Sequence, residues 1–333
     1  MQTRRHFMKV AGATALFMPA IARAQTSRTL RFGHVLTDNH PYHMGLTRFG
    51  EELERRTNGS LKVQIYPSSQ LGGEIQLIEG LGLGTVDGCA VAASSLALTS
   101  GLKKFYLLDL PFVFANYDSI EAFAASDVVK ELTSVPEGTG VRVLGLATAG
   151  FHQMLNSKKS IKTPDDLSGM KFRVWESQSA SLAFDMMGMQ PTPMAFGEVF
   201  TAIQQGVVDG FTNSLTTFHL SKMYEVGKYV TISNHQYTCV FPMISESLFA
   251  SLSKEEQDAV VEAGNEACKY WRTIYPTQDA EFRTKLEEAG CTVNDVDREA
   301  FVSHVRPQYE RFVELIGEPG TDNLIEQMVE IAG

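Results

Sequence analysis

Apolar positions along this chain switch repeatedly between the two-residue period of a strand and the stripe spacing of a helix. Leu30-Arg31-Phe32-Gly33-His34-Val35 alternates like a strand. His40 to Arg56 then carries Met44, Leu46, Phe49 and Leu53 near helical spacing and stops at Asn58-Gly59, a left-handed C-terminal signal. Leu61 to Tyr66 alternates again, and strand, helix, strand in that order predicts parallel pairing in an α/β unit. A Gly72-Gly73 turn leads into a helix from Glu74 to about Leu83 and an apolar strand from Val86 to Ala92. Apolar residues surround Pro111 between Phe105 and Phe114, Ile120 to Leu132 predicts a helix, and Val141 to Ala147 a strand.

An internal echo indicates two related halves. Gly73-Glu74, a helix and Gly84-Thr85-Val86-Asp87-Gly88 recur as Gly197-Glu198, a helix and Gly206-Val207-Val208-Asp209-Gly210. Each copy predicts a helix ending at a glycine and feeding a strand that opens Val-Asp-Gly. If the copies are equivalent, Ser94 and Ser95 in one lobe and Asn213 and Ser214 in the other follow strand carboxyl ends, where open α/β sheets hold ligands. Tyr229 to Ser245 contains two strand-like runs placed to carry the chain back to the first lobe, which makes it a candidate hinge. Ser253-Lys254-Glu255-Glu256 is a capping box that opens a helical stretch towards Glu288, long enough to brace two lobes, with a kink expected at Pro276. Thr292-Val293, a helix from Arg298 to Ile316 and an amphipathic segment from Asn323 to Ile331 complete the chain.

The N-terminal segment changes the picture of where the protein acts. A basic head, Thr3-Arg4-Arg5-His6-Phe7-Met8-Lys9, precedes an apolar stretch from Val10 to Ile21 and the small-x-small site Ala22-Arg23-Ala24. The stretch is too short to span a bilayer of about 30 Å as a helix, so residues 1–24 are expected to be a removable export signal. The arginine pair resembles a twin-arginine signal, and an ordinary secretory signal is the alternative. Either implies a periplasmic location. Loss of Arg4, Arg5, Lys9 and Arg23, with no acid removed, takes the formal charge from −10 to −14, so nucleic acid is excluded as a bulk electrostatic partner. Cys89, Cys239, Cys268 and Cys291 lack metal-site spacing; Cys268 and Cys291 could pair, and buried thiols are the alternative.

The chemistry centres on Arg173, a lone guanidinium in the apolar strand Met170 to Trp175. A charge among apolar neighbours needs a partner, and the planar fork of donors matches the two oxygens of a carboxylate. No nucleophile elbow, zinc-protease helix or phosphate loop is present, and Gly80-Leu81-Gly82-Leu83-Gly84 ends a helix instead of opening one. His40 and His43 are three apart, with too few further ligands nearby for a metal site. Neither cofactor nor metal is expected.

Several motifs in order resemble the periplasmic solute-binding subunits of TRAP transporters, the tripartite ATP-independent systems. They are Tyr66-Pro67-Ser68-Ser69-Gln70-Leu71-Gly72, Asn156-Ser157-Lys158-Lys159, Thr163 to Val174, Pro191 to Val199, and Gly206-Val207-Val208-Asp209-Gly210 before Asn213. The resemblance implies an α/β, two-lobed periplasmic-binding-protein fold with hinge strands and a long bracing helix. It also implies an arginine matching Arg173 that holds a ligand carboxylate, an asparagine matching Asn213 that touches it, and small and large integral membrane subunits as partners. Three places depart from the family's pattern: His152 stands where a second arginine is common, Thr212-Asn213-Ser214 replaces Glu-Asn-Pro, and Trp175 replaces a proline or methionine.

The expected division is 25–149 with about 240–275 as the first lobe, and 150–239 with about 276–333 as the second. His152 is a candidate acceptor for a hydroxyl when neutral or a cation for a carboxylate, and Trp175 a stacking surface. Glu74 is a candidate hydroxyl acceptor, and His40 and Ser94 are further candidates from their places after strands. The ligand is expected to be a small organic acid, with the missing second arginine and the hydroxyl-seeking groups favouring a sugar acid such as a uronate or aldonate. The protein is expected to act as a monomer and not as an enzyme; a secreted hydrolase or lyase acting on a small carboxylate is the alternative.

Overall fold

The computed structural model describes residues 27–134 and 138–333, so the export signal proposed for residues 1–24 lies outside the described residues. Ten strands form one mixed sheet: β1 (Arg28–Gly33), β2 (Leu61–Tyr66), β3 (Gly88–Ala92), β4 (Val141–Val143), β5 (Ala147–Asn156), β6 (Lys171–Val174), β7 (Gln190–Pro193), β8 (Gly210–Asn213), β9 (Tyr229–Ser245) and β10 (Thr292–Asp295). The main path runs β2-β1-β3-β9-β5-β8-β6-β7, with β4 and β10 paired to β9. That order is palindromic in construction. β1 lies between parallel partners β2 and β3, β6 lies between parallel partners β7 and β8, and the antiparallel pair β9–β5 joins the two sets.

The Val-Asp-Gly echo has a shared structural purpose. The Asp87 carboxylate accepts from the Arg31 backbone N–H at 2.8 Å, and the Asp209 carboxylate from the Lys171 N–H at 2.9 Å. Both aspartates therefore tie the start of one strand to its parallel neighbour. The registers match too: Phe32 pairs with Gly88 and Phe172 with Gly210. Each glycine admits a close approach, since a Cβ on Gly88 would sit 2.1 Å from the Phe32 ring and one on Gly210 would sit 2.3 Å from the Leu155 carbonyl oxygen. Counting onward, Gly33 occupies in the first lobe the place that Arg173 occupies in the second.

Several boundaries differ from the sequence expectation. The stretch 229–245 is one strand of 17 residues. Alternation breaks where its pairing with β5 slips, at bulges between Thr148 and Gly150 and between His152 and Met154. Residues 141–147 fall into separate strands because Gly145 turns the chain at φ 147°. The expected helix 120–132 divides at Ser126, which caps the second piece, Asp127–Thr133. Helix 298–316 breaks into Arg298–Val305, a 3-10 turn and Glu310–Ile316, at Pro307, which has no N–H to continue the ladder.

The capping box at Ser253 and Glu256 opens a helix of 35 residues, Lys254–Glu288, that includes Pro276. Trp271 packs so closely on the helix Pro41–Arg56 that a Cβ on Gly45 would lie 2.0 Å from its ring. Further along, Phe282 and Leu286 enter the second lobe's core with Leu155, Phe211 and Phe218. One helix thus packs into both lobes. Residues 276–333, placed with the second lobe from sequence, set Glu310–Ile316 against both Lys103–Asp109 and Gln178–Met186, and Thr321–Ala332 against Ile120–Ala125 and Asp127–Thr133. All four cysteines are buried and free, with Cys268 and Cys291 in different apolar clusters. No helix among the described residues is long and apolar enough to cross a membrane.

Candidate functional site

A cavity of about 50 Å³ lies between the two lobes. The first lobe contributes Val35, Tyr42, Glu74 and Ser95; the second contributes Arg173, Trp175, Phe196 and Asn213; His152 and Thr238 enter from the connecting strands. The strand pleat explains how β6 supplies its share. Phe172 and Val174 are fully buried in the core, so Arg173 and Trp175 stand together on the opposite side, against the cavity.

Arg173 is only 5 % exposed. Its Nε–H donates to the Met194 carbonyl at 3.0 Å, and the guanidinium lies 5.8 Å from the centre of the Phe196 ring. Among the described residues it has no ion-pair partner. Burial pushes its pKa down to about 10, only partly opposed by Glu74, Glu176 and Glu198. A second largely buried arginine shows the usual resolution: burial lowers the pKa of Arg272, but its two hydrogen bonds to Glu121, at 2.8 and 3.0 Å, together with the charge of Glu121 and nearby Tyr237 and Cys268, raise it overall. Arg173 keeps donors directed at cavity space.

Glu74 caps that space from the first lobe, at the start of the helix Glu74–Leu83. Its two carboxylate oxygens accept from the Ala92 N–H at 3.2 Å and the Ser95 hydroxyl at 2.7 Å. Burial raises its pKa despite these bonds. Lone pairs remain for a hydroxyl donor. Asn213, at the end of β8, uses its Oδ1 to accept from the Ser214 N–H at 2.8 Å, which leaves the amide NH₂ for the cavity. His152 is buried, with Nδ1 3.4 Å from Thr212 Oγ1 and Nε2 unpartnered. Its burial, then the neighbouring His235 ring and the Arg173 charge, hold its pKa well below the usual range, which favours the neutral imidazole.

Trp175 lies edge-on to His152 at 5.7 Å, and its indole N–H donates to Ser94 Oγ at 3.1 Å. Ser94 is therefore held behind the wall while its neighbour Ser95 lines the cavity. His40 is also outside the lining. It caps the helix Pro41–Arg56 by accepting the Tyr42 N–H at Nδ1, so its neutral ring carries the proton on Nε2 and donates to Thr217 Oγ1 at 3.0 Å. Of the sequence candidates, Arg173, Asn213, His152, Glu74 and Trp175 converge on one space; Ser94 and His40 link the lobes beside it.

Among the residues that the sequence did not single out are Thr238, in the lining, and Asp109, behind it. Thr238 lines the cavity with an unpartnered hydroxyl, and its only sequence signal was its place in the hinge strand. Asp109, the lone acid in the apolar run Phe105 to Phe114, accepts from Ser179 Oγ at 2.6 Å, Gln236 Nε2 at 2.9 Å and Ser177 Oγ at 3.2 Å. Burial raises its pKa to about 6 against these bonds. Among the described residues no three His, Cys, Asp or Glu side chains cluster to hold a metal ion.

This architecture recurs in known proteins. The chain is 32 % identical over 300 residues to the 2,3-diketo-L-gulonate-binding periplasmic protein YiaO of Escherichia coli K12, covering 88 % of this chain and 91 % of that protein. It superposes with a TM-score of 0.86 on a TRAP periplasmic solute binding protein from Polaromonas sp. JS666 bound to D-erythronate, at 29 % identity over 92 % of this chain and 99 % of the other. The sugar acid binding protein DctPAm of Advenella mimigardefordensis, in complex with galactonate, gives the same score at 30 % identity, covering 92 % and 98 % of the two chains. With residues 32–315 matching its model, the chain belongs to the DctP family, bacterial extracellular solute-binding protein family 7.

Proposed function

We propose that this protein is the periplasmic receptor of a TRAP transporter and that it captures a hydroxylated monocarboxylic acid, a sugar acid of the uronate or aldonate kind. One observation carries the reading: a buried guanidinium without a carboxylate partner faces a cavity between two lobes. The ligand carboxylate supplies the missing charge, with Arg173 donating its fork and Asn213 its amide. Among the described residues that line the cavity Arg173 is the one Lys or Arg, while burial favours neutral His152 and Glu74 is an acid. That arrangement favours one carboxylate and hydroxyls over two carboxylates. His152 Nε2, Thr238 Oγ1 and Glu74 offer the hydroxyl contacts. The sugar acids bound by the Polaromonas and Advenella proteins support the same class.

The working cycle is closure on the ligand. We take the first lobe as 25–149 with about 240–275, and the second as 150–239 with about 276–333, whose last helices also pack on first-lobe elements. β5 and β9 run through both lobes, so bending there separates the walls of the cavity. Ligand binding favours the shut form because only then are Arg173 and Glu74 both engaged. The shut, monomeric protein is recognised by the small and large integral membrane subunits, and the acid is released chemically unchanged. A thermal-shift screen over organic acids tests the reading, since free ligand at about a hundred times Kd stabilises the folded state by about 2.7 kcal/mol. Sugar acids are expected to give the largest shifts and to be recovered intact. Shifts confined to dicarboxylates, or turnover of the acid, would exclude it.

A further inference from the structure

We propose that Trp175 limits the length of acid the site accepts, so that this protein prefers short hydroxy-monocarboxylates to six-carbon sugar acids. The inference rests on the sugar-acid reading and narrows it. Trp175 stands two residues beyond Arg173 on the same side of the chain, which sets the two backbone positions roughly 6–7 Å apart, and both side chains line the cavity. A carboxylate gripped by Arg173 therefore meets the indole as its neighbouring wall.

That wall is held in place. His152 and Phe184 pack perpendicular to the indole, at 5.7 and 6.3 Å between ring centres. Its N–H is bonded to Ser94 of the opposite lobe at 3.1 Å. Ser94 in turn is hydrogen-bonded to Asp109. The same Asp109 carboxylate accepts from Ser177 and Ser179, two and four residues beyond Trp175 in the chain. Asp109 and Ser94 thus act as positioning residues, fastening the Trp175–Ser179 segment across the cleft. Rotating the indole aside would break the Ser94 bond and leave a donor buried.

The space that remains is small. The cross-lobe bonds Trp175–Ser94, Ser179–Asp109 and His40–Thr217 are all formed, and the cavity between them measures about 50 Å³. A single water needs about 10–15 Å³ on such a scale. With the lobes in this arrangement the indole bounds the space beside Arg173, so each carbon added to the acid brings its tail closer to that wall.

Calorimetry on the mature protein with D-glycerate, D-erythronate, D-galactonate and D-glucuronate tests this. The wild type is expected to bind glycerate or erythronate at least tenfold more tightly than either six-carbon acid. Trp175→Met is expected to raise galactonate affinity at least tenfold relative to erythronate. Ser94→Ala, which frees the indole and perturbs packing less, is expected to shift the ratio in the same direction by a few-fold, so the test stands even if the tryptophan variant does not fold. Equal or tighter binding of galactonate or glucuronate by the wild type overturns the inference. So does an unchanged ratio in folded Trp175→Met, while the short acids binding in both proteins leaves the sugar-acid reading intact. If none of the four acids binds, the sugar-acid reading itself falls and this inference with it.

Discussion

The two lobes are built to one plan and differ where it matters. In the first, Asp87 fastens β3 to β1, and the strand position after Phe32 is Gly33, covered so tightly that a Cβ there would sit 2.5 Å from Leu77. In the second, Asp209 fastens β8 to β6, and the position after Phe172 is Arg173, open to the cavity. The next position on that side is Val35 in one lobe and Trp175 in the other, and both line the cavity. The repeated strands and aspartates supply rigidity to both walls. Charge and hydrogen-bonding direction come from what replaces a glycine and a valine in only one of them. The first lobe answers with Glu74, whose oxygens are already anchored by its own chain, so its wall is a satisfied acid facing an unsatisfied base.

Removing the base is expected to have the largest effect. Arg173→Ala breaks a buried charge pair with the ligand, worth about 3–5 kcal/mol, and calorimetry should record a loss of affinity above about a hundredfold. The same variant is expected to be no less stable without ligand, because an uncompensated buried charge is removed; an unchanged Kd would end the comparison between the lobes. Next come the paired aspartates. Asp87→Ala and Asp209→Ala each remove the acceptor of a backbone N–H at an exposed residue and should lose about 0.5–1.5 kcal/mol of stability in urea titrations. Only Asp209→Ala is expected also to weaken ligand binding, since only β6 carries a binding side chain. Equal affinity in the two variants would mean that β6 needs no such anchoring.

Acid sensitivity gives a smaller effect that is spread over the molecule. Burial holds His34 and His235 near 3, and His40 and His152 well below 6.5. Below about pH 6.5 the unfolded chain takes up protons that these folded sites refuse, so each costs up to about 1.4 kcal/mol per pH unit as pH falls towards 3. Asp109 and Asp279, raised to about 6, oppose this, because the folded form binds their protons first as pH drops from 6 towards 3.8. Burial raises Glu74 as well, yet the four histidines outnumber these three acids, and denaturant midpoints are expected to be lower at pH 5 than at pH 7. Affinity, by contrast, is expected to stay flat from pH 5.5 to 8.5, with His152 neutral and Arg173 charged throughout. Weakening as pH rises through neutrality would instead assign His152 a cationic contact.

Much of this was legible before any fold was seen. The Asn58-Gly59 stop, the Ser253 capping box and the Val-Asp-Gly repeat are local signals, because a left-handed residue, a cap and a strand start are decided by neighbours in the chain. Arg173 stood out for the same reason, a charge in an apolar strand. At Ser126 the hydroxyl accepts from the Val129 N–H and starts a new helix, but the apolar spacing runs on across it and hides the break. The 17-residue β9 was read as two runs because its bulged pairing with β5 breaks the alternation that marks a strand.

The order of residues alone therefore specified the elements, the repeat and the lone guanidinium, since each follows from backbone preference and apolar periodicity within a few positions. Which candidates share a cavity was beyond its reach. Ser94 and His40 sit after strands just as a ligand contact would, yet their side chains are taken by Trp175 and Thr217, 81 and 177 positions away. Thr238 gained its place only when the hinge strand passed between the lobes. Hydrogen bonds across such separations depend on how two lobes meet, and no local pattern carries that information.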